Sequence, residues 1–555
     1  MNSIIRLRES NCKDCYKCIR HCPVKAISFA ENQAQIIPQE CILCGMCFVV
    51  CPQNAKEIRP DVDRVRAAMA AGRRVVASIA PSFIADFDVG GIEDMREALV
   101  ALGFADAEET AIGAGIVSRA YENLMREGTM PVIITSCCHA INLLIQKYHP
   151  DMLPYLAPVL SPMQAHCKLI KENDSDAYTV FIGPCIAKKD ESDRSQYTDA
   201  ALTFDELRDW LGKAGVAITR RQRTPEDGKR ARFYPATGGI LKSLDAQNGY
   251  RLIAIDGAQN CIQTFSELKD GRLKRVFIEM SACEGSCVNG PYIREHHMNR
   301  LTGALRVGEY AGTTDFATEK SDGIHHTFNF EGTHRVQPGG EAVEKVLEQM
   351  GKTHPEKQLN CGSCGYPTCR DKAIAVCQGK AEIGMCLPFL KERAESFSDT
   401  VIGNTPNAVF VLDENLVVQQ VNRAALALFH LRAPDEILHA PIVTLLNPID
   451  YMNVMISGKD IINKCIYVAE FKIYVEETIV YDRQNRVLVC ILRDVTEREC
   501  IRENERVMRR RTIEITDKVI DKQMRAVQEI ASLLGETTAE TKTALTRLKD
   551  AMQHE

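Results

Sequence analysis

Eight cysteines in the first 60 residues fall into two runs of identical spacing: Cys12, Cys15, Cys18 and Cys22 before Pro23, and Cys41, Cys44, Cys47 and Cys51 before Pro52. Each run reads C-x2-C-x2-C-x3-C-P. Three thiolates spaced this closely wrap one face of an iron–sulfur cubane, and the proline turn carries the fourth to the neighbouring cluster. The spacing therefore predicts redox chemistry at two 4Fe–4S clusters. Cys12, Cys15, Cys18 and Cys51 would hold one, and Cys41, Cys44, Cys47 and Cys22 the other. Gly45 leaves room for the inorganic sulfurs. A pair of zinc knuckles is the alternative, although zinc sites usually set two C-x2-C pairs far apart.

The cluster run resembles the bacterial two-cluster ferredoxins. More thiols follow in three segments: Thr135-Ser136-Cys137-Cys138; Gly183-Pro184-Cys185 running on to Lys188 and Glu191; and Glu279-Met280-Ser281-Ala282-Cys283 with Cys287, Gly290 and Pro291 beyond. By spacing alone, four or five thiols either converge or pack singly as small hydrophobes. The order and wording of the segments resemble the three signature segments of FeFe-hydrogenases. Ala236-Thr237-Gly238-Gly239 resembles a further segment of that family. The resemblance spans residues 1 to about 300.

That resemblance implies an H-cluster, a 4Fe–4S cubane joined through a cysteine sulfur to a diiron subcluster carrying CO, CN and dithiolate ligands. Carried over, Cys138, Cys185, Cys283 and Cys287 would ligate the cubane, with Cys287 as the bridging thiolate. Lys188 matches the donor to a cyanide, an ammonium being a compact partner for a bound anion. Glu191 is expected to fix Lys188, and a surface ion pair of little worth is the bland reading of the two. Cys137 matches the thiol that passes protons, H2 and protons being the family's substrates. The chain departs from the family where Gly183 and Ser281 replace methionines, Ala157 replaces a serine of the proton path and Met163 replaces a glutamine. Arg119 and Glu122 stand where the path's glutamates are sought. The resemblance thus implies no high turnover.

Something must hold these segments together. Residues 61 to about 310 read as α/β, with strand-like runs at 75–79, 131–135 and 179–182 between helical stretches. Two of the runs lead straight into cysteines, and loops at strand C-termini are where α/β sheets place their chemistry.

Beyond a polar stretch at 311–340, Cys361, Cys364, Cys369 and Cys386 form a C-x2-C-x4-C-x16-C pattern resembling the small CGxCGxxxC 4Fe–4S domain. Gly362 and Gly365 permit tight backbone around sulfurs. Cys377 lies between and is not chosen as a ligand; zinc is a stronger alternative here than at the N-terminus. Residues 408–413 and 417–422 read as a hairpin, followed by a helix at 423–431 and a last strand from 487. The unit resembles a PAS domain, and Cys465 and Cys490 are expected to be buried in its strands. The tail carries helical 3–4 spacing and predicts one amphipathic helix, or a hairpin broken near residues 534–538.

Of 555 residues, 45% are hydrophobic and 26% charged, with a net charge of −6. That mild acidity argues against a nucleic-acid partner. The N-terminus shows no secretory signal and no apolar run approaches the ~20 residues of a membrane span, so a cytoplasmic protein without a membrane partner is expected. Most of the 23 cysteines sit in tight clusters, and in a reducing compartment such clusters read as metal ligands rather than disulfides. The expected architecture is a multidomain α/β and α+β chain: a ferredoxin-like 2x4Fe–4S domain (1–60), an FeFe-hydrogenase-like α/β catalytic domain (61–340), a small 4Fe–4S domain (341–395), a PAS domain (396–498) and a C-terminal helix (499–555). The expected function is that of a sensory FeFe-hydrogenase, acting with ferredoxin or another electron carrier, a downstream kinase or phosphatase, and a second copy in a homodimer. The alternatives are a metabolic ferredoxin-coupled hydrogenase and a non-catalytic electron-transfer protein lacking the diiron unit.

Overall fold

The computed structural model describes all residues except 1–2, 9–10, 222–227, 246–247, 270, 272, 296–299, 318–322, 333–334, 535–537 and 554–555. The chain forms two compact units, Met1–Leu390 and Lys391–Glu555.

In the first unit the repeated cysteine runs give a repeated backbone. The short helices Lys17–His21 and Met46–Val49 are each entered through a left-handed residue, Tyr16 (φ 53°) and Gly45 (φ 73°). Asp14 and Leu43, one cysteine earlier in each run, are left-handed as well. Strands β1 (Ile5–Leu7), β2 (Ile27–Ala30), β3 (Gln33–Ile36) and β4 (Lys56–Ile58) frame them as two antiparallel pairs, β1 with β4 and β2 with β3.

The middle of the chain holds seven strands: β5 (Val75–Ile79), β6 (Asp106–Glu109), β7 (Val132–Ile134), β8 (Tyr178–Gly183), β9 (Ala200–Thr203), β10 (Arg251–Asp256) and β11 (Val276–Ser281). They form two parallel sheets, ordered β6-β5-β8-β9 and β10-β11-β7. Every residue of β5, β7 and β11 is buried, the signature of a parallel sheet covered on both faces. The three strand-like runs seen in the sequence are β5, β7 and β8. What the sequence did not show is that β7 and β8 belong to different sheets.

Helix Ala111–Glu127 buries Ala111, Ala114, Val117, Ser118, Tyr121 and Met125, one face at 3–4 spacing. Two of those six side chains end in hydroxyls. The segment around Cys361 is tied to the cluster runs: Lys25 Nζ donates to the Gly365 carbonyl at 2.9 Å, and Arg20 to that of Ser363 at 2.9 Å.

The second unit holds a five-stranded antiparallel sheet. Its strands are β12 (Ala408–Asp413), β13 (Val418–Val421), β14 (Ile461–Val468), β15 (Ile473–Asp482) and β16 (Val487–Asp494), ordered β13-β12-β16-β15-β14. The expected hairpin is present, and the helix after it runs Arg423–Leu428, shorter than predicted. Asn422 fixes the turn: its side-chain oxygen accepts from Val409 N at 3.0 Å and Ala425 N at 2.9 Å. Cys490 is buried as expected, but Cys465 is exposed. The reason is its position on β14, the edge strand, whose middle faces outward. The tail forms helices Thr496–Leu534 and Thr538–Gln553, which contact each other through Lys549 and Asp517 at 3.1 Å. The expected break at 534–538 falls largely on residues outside those described.

Candidate metal centre

Three loops deliver their thiols to one cavity. Cys137 and Cys138 follow β7, Cys185 follows β8, and Cys283 and Cys287 follow β11. β7 and β11 run parallel in register, and Thr135 N extends the pairing to the Ile278 carbonyl at 3.0 Å. Their loops therefore leave the same sheet edge. All five thiols and Lys188 line a cavity of about 120 Å³. Cys287 presents open surface, yet it is enclosed by protein: the surface faces the cavity.

The electrostatics suit a cationic guest. Burial pushes the Cys185 thiol up to about 11 and those of Cys283 and Cys287 higher, each reinforced by its neighbours' negative charge. Four thiolates this close in a low dielectric need positive charge between them, which iron supplies. The thiols ring a volume, so the donor set fits a multi-atom cluster.

Lys188 Nζ donates to Glu191 Oε2 at 2.6 Å and to the Cys137 carbonyl at 3.2 Å. Burial disfavours the ammonium, but the Glu191 charge and hydrogen bond outweigh it and hold the Lys188 pKa above its ordinary value. Glu191 is likewise buried; Lys188 and His139 hold its carboxyl below the usual range against the cost of burial. It also accepts from Ser161 Oγ and from Gln164 Nε2, the latter at 3.1 Å. The pair is thus an enclosed, hydrogen-bonded one.

Two carboxylates that sequence reasoning gave no role position the third segment. Glu279 accepts from the backbone N–H groups of Gly238, Ile240 and Leu241 at 2.9, 3.0 and 3.3 Å. Asp256 accepts from Thr237 Oγ1 at 2.7 Å and Gly285 N at 2.8 Å. Together they bind the Ala236-Thr237-Gly238-Gly239 loop to the Cys283 loop. A side chain at Gly239 would drive its Cβ to 1.8 Å from the Phe233 carbonyl oxygen, so only glycine fits. The signal available in the sequence was Glu279 itself, at the head of the third segment.

The departures acquire physical content. At Gly183 a Cβ would lie 2.7 Å from two ring carbons of Phe181, which lines the cavity. The ring takes the space a larger residue would need. Ser281 Oγ meets Ser286 Oγ at 3.0 Å and the Cys283 carbonyl at 3.2 Å. Ala157 and Met163 are buried. Arg119 and Glu122 lie at a separate polar cavity away from Cys137. Tyr121 touches Cys137, its hydroxyl 3.2 Å from Sγ. Sequence reasoning overlooked it because a tyrosine on a buried helix face reads as core.

Residues 73–291 match the family model of the iron-only hydrogenase large subunit, C-terminal domain. Residues 4–66 match a 4Fe-4S dicluster domain, 358–388 an Fe-S cluster model and 397–501 the PAS fold. The chain is an FeFe-hydrogenase-like, PAS-containing protein. It is 28% identical to the periplasmic [Fe] hydrogenase large subunit of Nitratidesulfovibrio vulgaris, over 55% of this chain and 90% of that one. It is 22% identical to the cytosolic iron-sulfur assembly component 3 of Mus musculus, over 47% and 72%. An FeFe-hydrogenase structure from Chlamydomonas reinhardtii aligns over 50% of this chain and all of that one, at 15% identity and a TM-score of 0.38.

This hydrogenase-like protein gathers its other predicted ligands near the N-terminus and around Cys361. Cys22 lies within electrostatic reach of Cys41, Cys44 and Cys47, and Cys18 within reach of Cys12 and Cys15. Backbone N–H groups of Ala26, Leu43 and Ala55 point at the sulfurs of Cys22, Cys41 and Cys51, each at 3.3 Å. Such N–H···S contacts tune cluster potential. Gly45 abuts the loops that carry Cys185 and Cys287: a Cβ there would sit 2.5 Å from Pro291 Cγ and 2.9 Å from Ile186 Cδ1. Cys361, Cys364, Cys369 and Cys386 line one small cavity, while Cys377 packs with Val343 and Leu347. Among the described residues, no helix is long and apolar enough to cross a membrane.

Proposed function

We propose that this protein interconverts dihydrogen with two protons and two electrons in the cytoplasm at modest rate, and reports hydrogen or redox state through its PAS domain. The observation that carries the reading is the single cavity shared by five thiols and a buried ammonium. Cys138, Cys185, Cys283 and Cys287 would hold the cubane, with Cys287 also reaching the diiron unit with its CO, CN and dithiolate ligands. When bound, that group supplies the splitting of dihydrogen. Lys188 has three N–H bonds; two are turned to Glu191 and the Cys137 carbonyl, leaving the third for an anionic ligand in the cavity. Cys137 would hold a proton at Sγ, its thiol pushed up to about 12 by burial against the opposing pull of Tyr121 and Lys188. Phe181 and Met163 supply a dry wall.

Electrons would pass along the N-terminal clusters to ferredoxin or another carrier, and to the third cluster on Cys361, Cys364, Cys369 and Cys386. The tail supports a homodimer: Ile501, Met508 and Ile515 recur at heptad spacing, 54%, 63% and 62% exposed on a 39-residue helix. A kinase or phosphatase would read the signal.

The similarity to the mouse assembly component favours a second reading, a non-catalytic iron–sulfur protein without the diiron unit. Infrared spectroscopy of the matured full chain separates the two. CO and cyanide bands are expected; their absence would sink the hydrogenase reading and leave the second. Sensing predicts that hydrogen alters amide protection in residues 397–534 relative to argon. Identical protection, with turnover indifferent to loss of residues 400–555, would favour a metabolic enzyme.

A further inference from the structure

Proton traffic to Cys137 needs a route, and the contact that Tyr121 makes does not continue outward. Its hydroxyl accepts the Ser136 N–H at 3.0 Å. Its other neighbours are Cys137 Sγ and Ser136 Oγ, and Ser136 Oγ itself donates to the Val159 carbonyl at 2.7 Å. Tyr121 therefore holds Cys137 and ends there.

A second tyrosine leads elsewhere. Tyr234 lines the same cavity as Cys137. Its hydroxyl lies 2.8 Å from Ser118 Oγ, which lies 2.7 Å from Ser243 Oγ. Ser118 and Ser243 in turn line a second cavity of about 310 Å³ shared with Arg119, Glu122 and Asp245. We propose that Tyr234, Ser118 and Ser243 form a hydroxyl wire that moves protons between the Cys137 cavity and the polar cavity at Glu122 and Asp245. The proposal rests on the hydrogenase reading above.

The hydrogen bonds set the wire's direction. Ser243 Oγ donates to the Ile240 carbonyl at 2.7 Å. Ser118 must then donate to Ser243, and Tyr234 to Ser118, so every hydroxyl points outward. A proton released as the Cys137 S–H bond breaks crosses the shared cavity and forms an O–H bond on the Tyr234 oxygen, as the old one breaks toward Ser118. The same exchange repeats at Ser118 and Ser243. Ser243 releases its proton when its hydroxyl turns from Ile240 to the polar cavity, and rotation of the three hydroxyls resets the chain. No electron is needed, and no hydroxyl keeps a net charge. Burial holds the Tyr234 phenol far above its ordinary pKa, so it relays a proton without losing its own to solvent. This also gives Arg119 and Glu122 a place, at the outer mouth of the wire. Ser118 takes its position from the buried helix face, and Tyr234 from the turn before Ala236-Thr237-Gly238-Gly239.

The test uses the matured full-length chain mixed into D2O. Loss of the Cys137 S–H stretch, assigned as the band that C137A lacks, measures proton exchange at that thiol. CO and cyanide bands in the same spectrum report the cofactor. Y234F and S118A are expected to slow the exchange roughly tenfold or more, and S118T to restore it. S243A repeats the test at the outer end with minimal loss of packing. Wild-type exchange in Y234F, S118A and S243A with the cofactor bands present overturns the wire. Missing cofactor bands in the wild-type chain overturn the hydrogenase reading instead.

Discussion

Gly183 offers a stringent check on the wall of the cavity. It ends β8 without a positive φ, so alanine meets no backbone objection there. The objection is steric: the added Cβ lies 2.7 Å from Cε1 and Cζ of Phe181 and 3.1 Å from Ala80 Cβ. Overpacking of this kind costs about 1–3 kcal/mol. The lost freedom of the unfolded glycine returns roughly 0.5–1 kcal/mol. G183A should therefore destabilise the strand by about 1–2 kcal/mol. F181L removes the ring atoms that clash, and in that background the same alanine should cost nothing or stabilise. The two substitutions should thus be coupled by about 1–2 kcal/mol in a double-mutant cycle. Amide exchange of the segment 178–187 in the full-length chain reads the local free energy. A G183A chain as protected as wild type, or costs that simply add with F181L, would refute the claim that the ring occupies this space. G183M should behave as a stronger G183A and be tolerated only with F181L.

The remaining predictions concern the buried acid, the third cluster and the tail. Burial lifts the Glu279 carboxyl from 4.5 to about 7, opposed by the three backbone N–H groups it accepts. The folded chain then holds a proton that the unfolded chain has lost between those values, so stability should fall as pH rises from about 4.5 to about 7, by about 3 kcal/mol in all. E279Q should flatten that slope in pH-dependent urea unfolding, and an unchanged slope would refute the assignment. C386S should lose the iron of the third cluster by metal analysis and C377S should keep it; equal loss in both would contradict the placement of Cys377. M508E with I515E should halve the particle mass by light scattering, and an unaltered mass would exclude that stripe as the dimer seam.

Legibility followed range. Each cysteine run is short and local, so its repeat was visible as spacing, and the fold repeats it in paired left-handed positions such as Tyr16 and Gly45. The strands β5, β7 and β8 were visible because a buried parallel strand is a continuous apolar run. Which sheet each joins depends on pairing between residues a hundred or more apart, such as Val132 with Val276, and no local pattern records it. Cys465 shows the same limit: a strand was correctly expected, but burial depends on whether the strand is central or at the edge. The proton side of the site was least legible, because its expectation was a search for carboxylates. The hydroxyl that meets Cys137 is on Tyr121, and those that lead away from its cavity are on Tyr234, Ser118 and Ser243, residue types that read as ordinary core. They stand out only when the fold brings helix Ala111–Glu127 against the turn at 234–243. A polar side chain on an apolar helical stripe is therefore worth following to its partner before it is counted as packing.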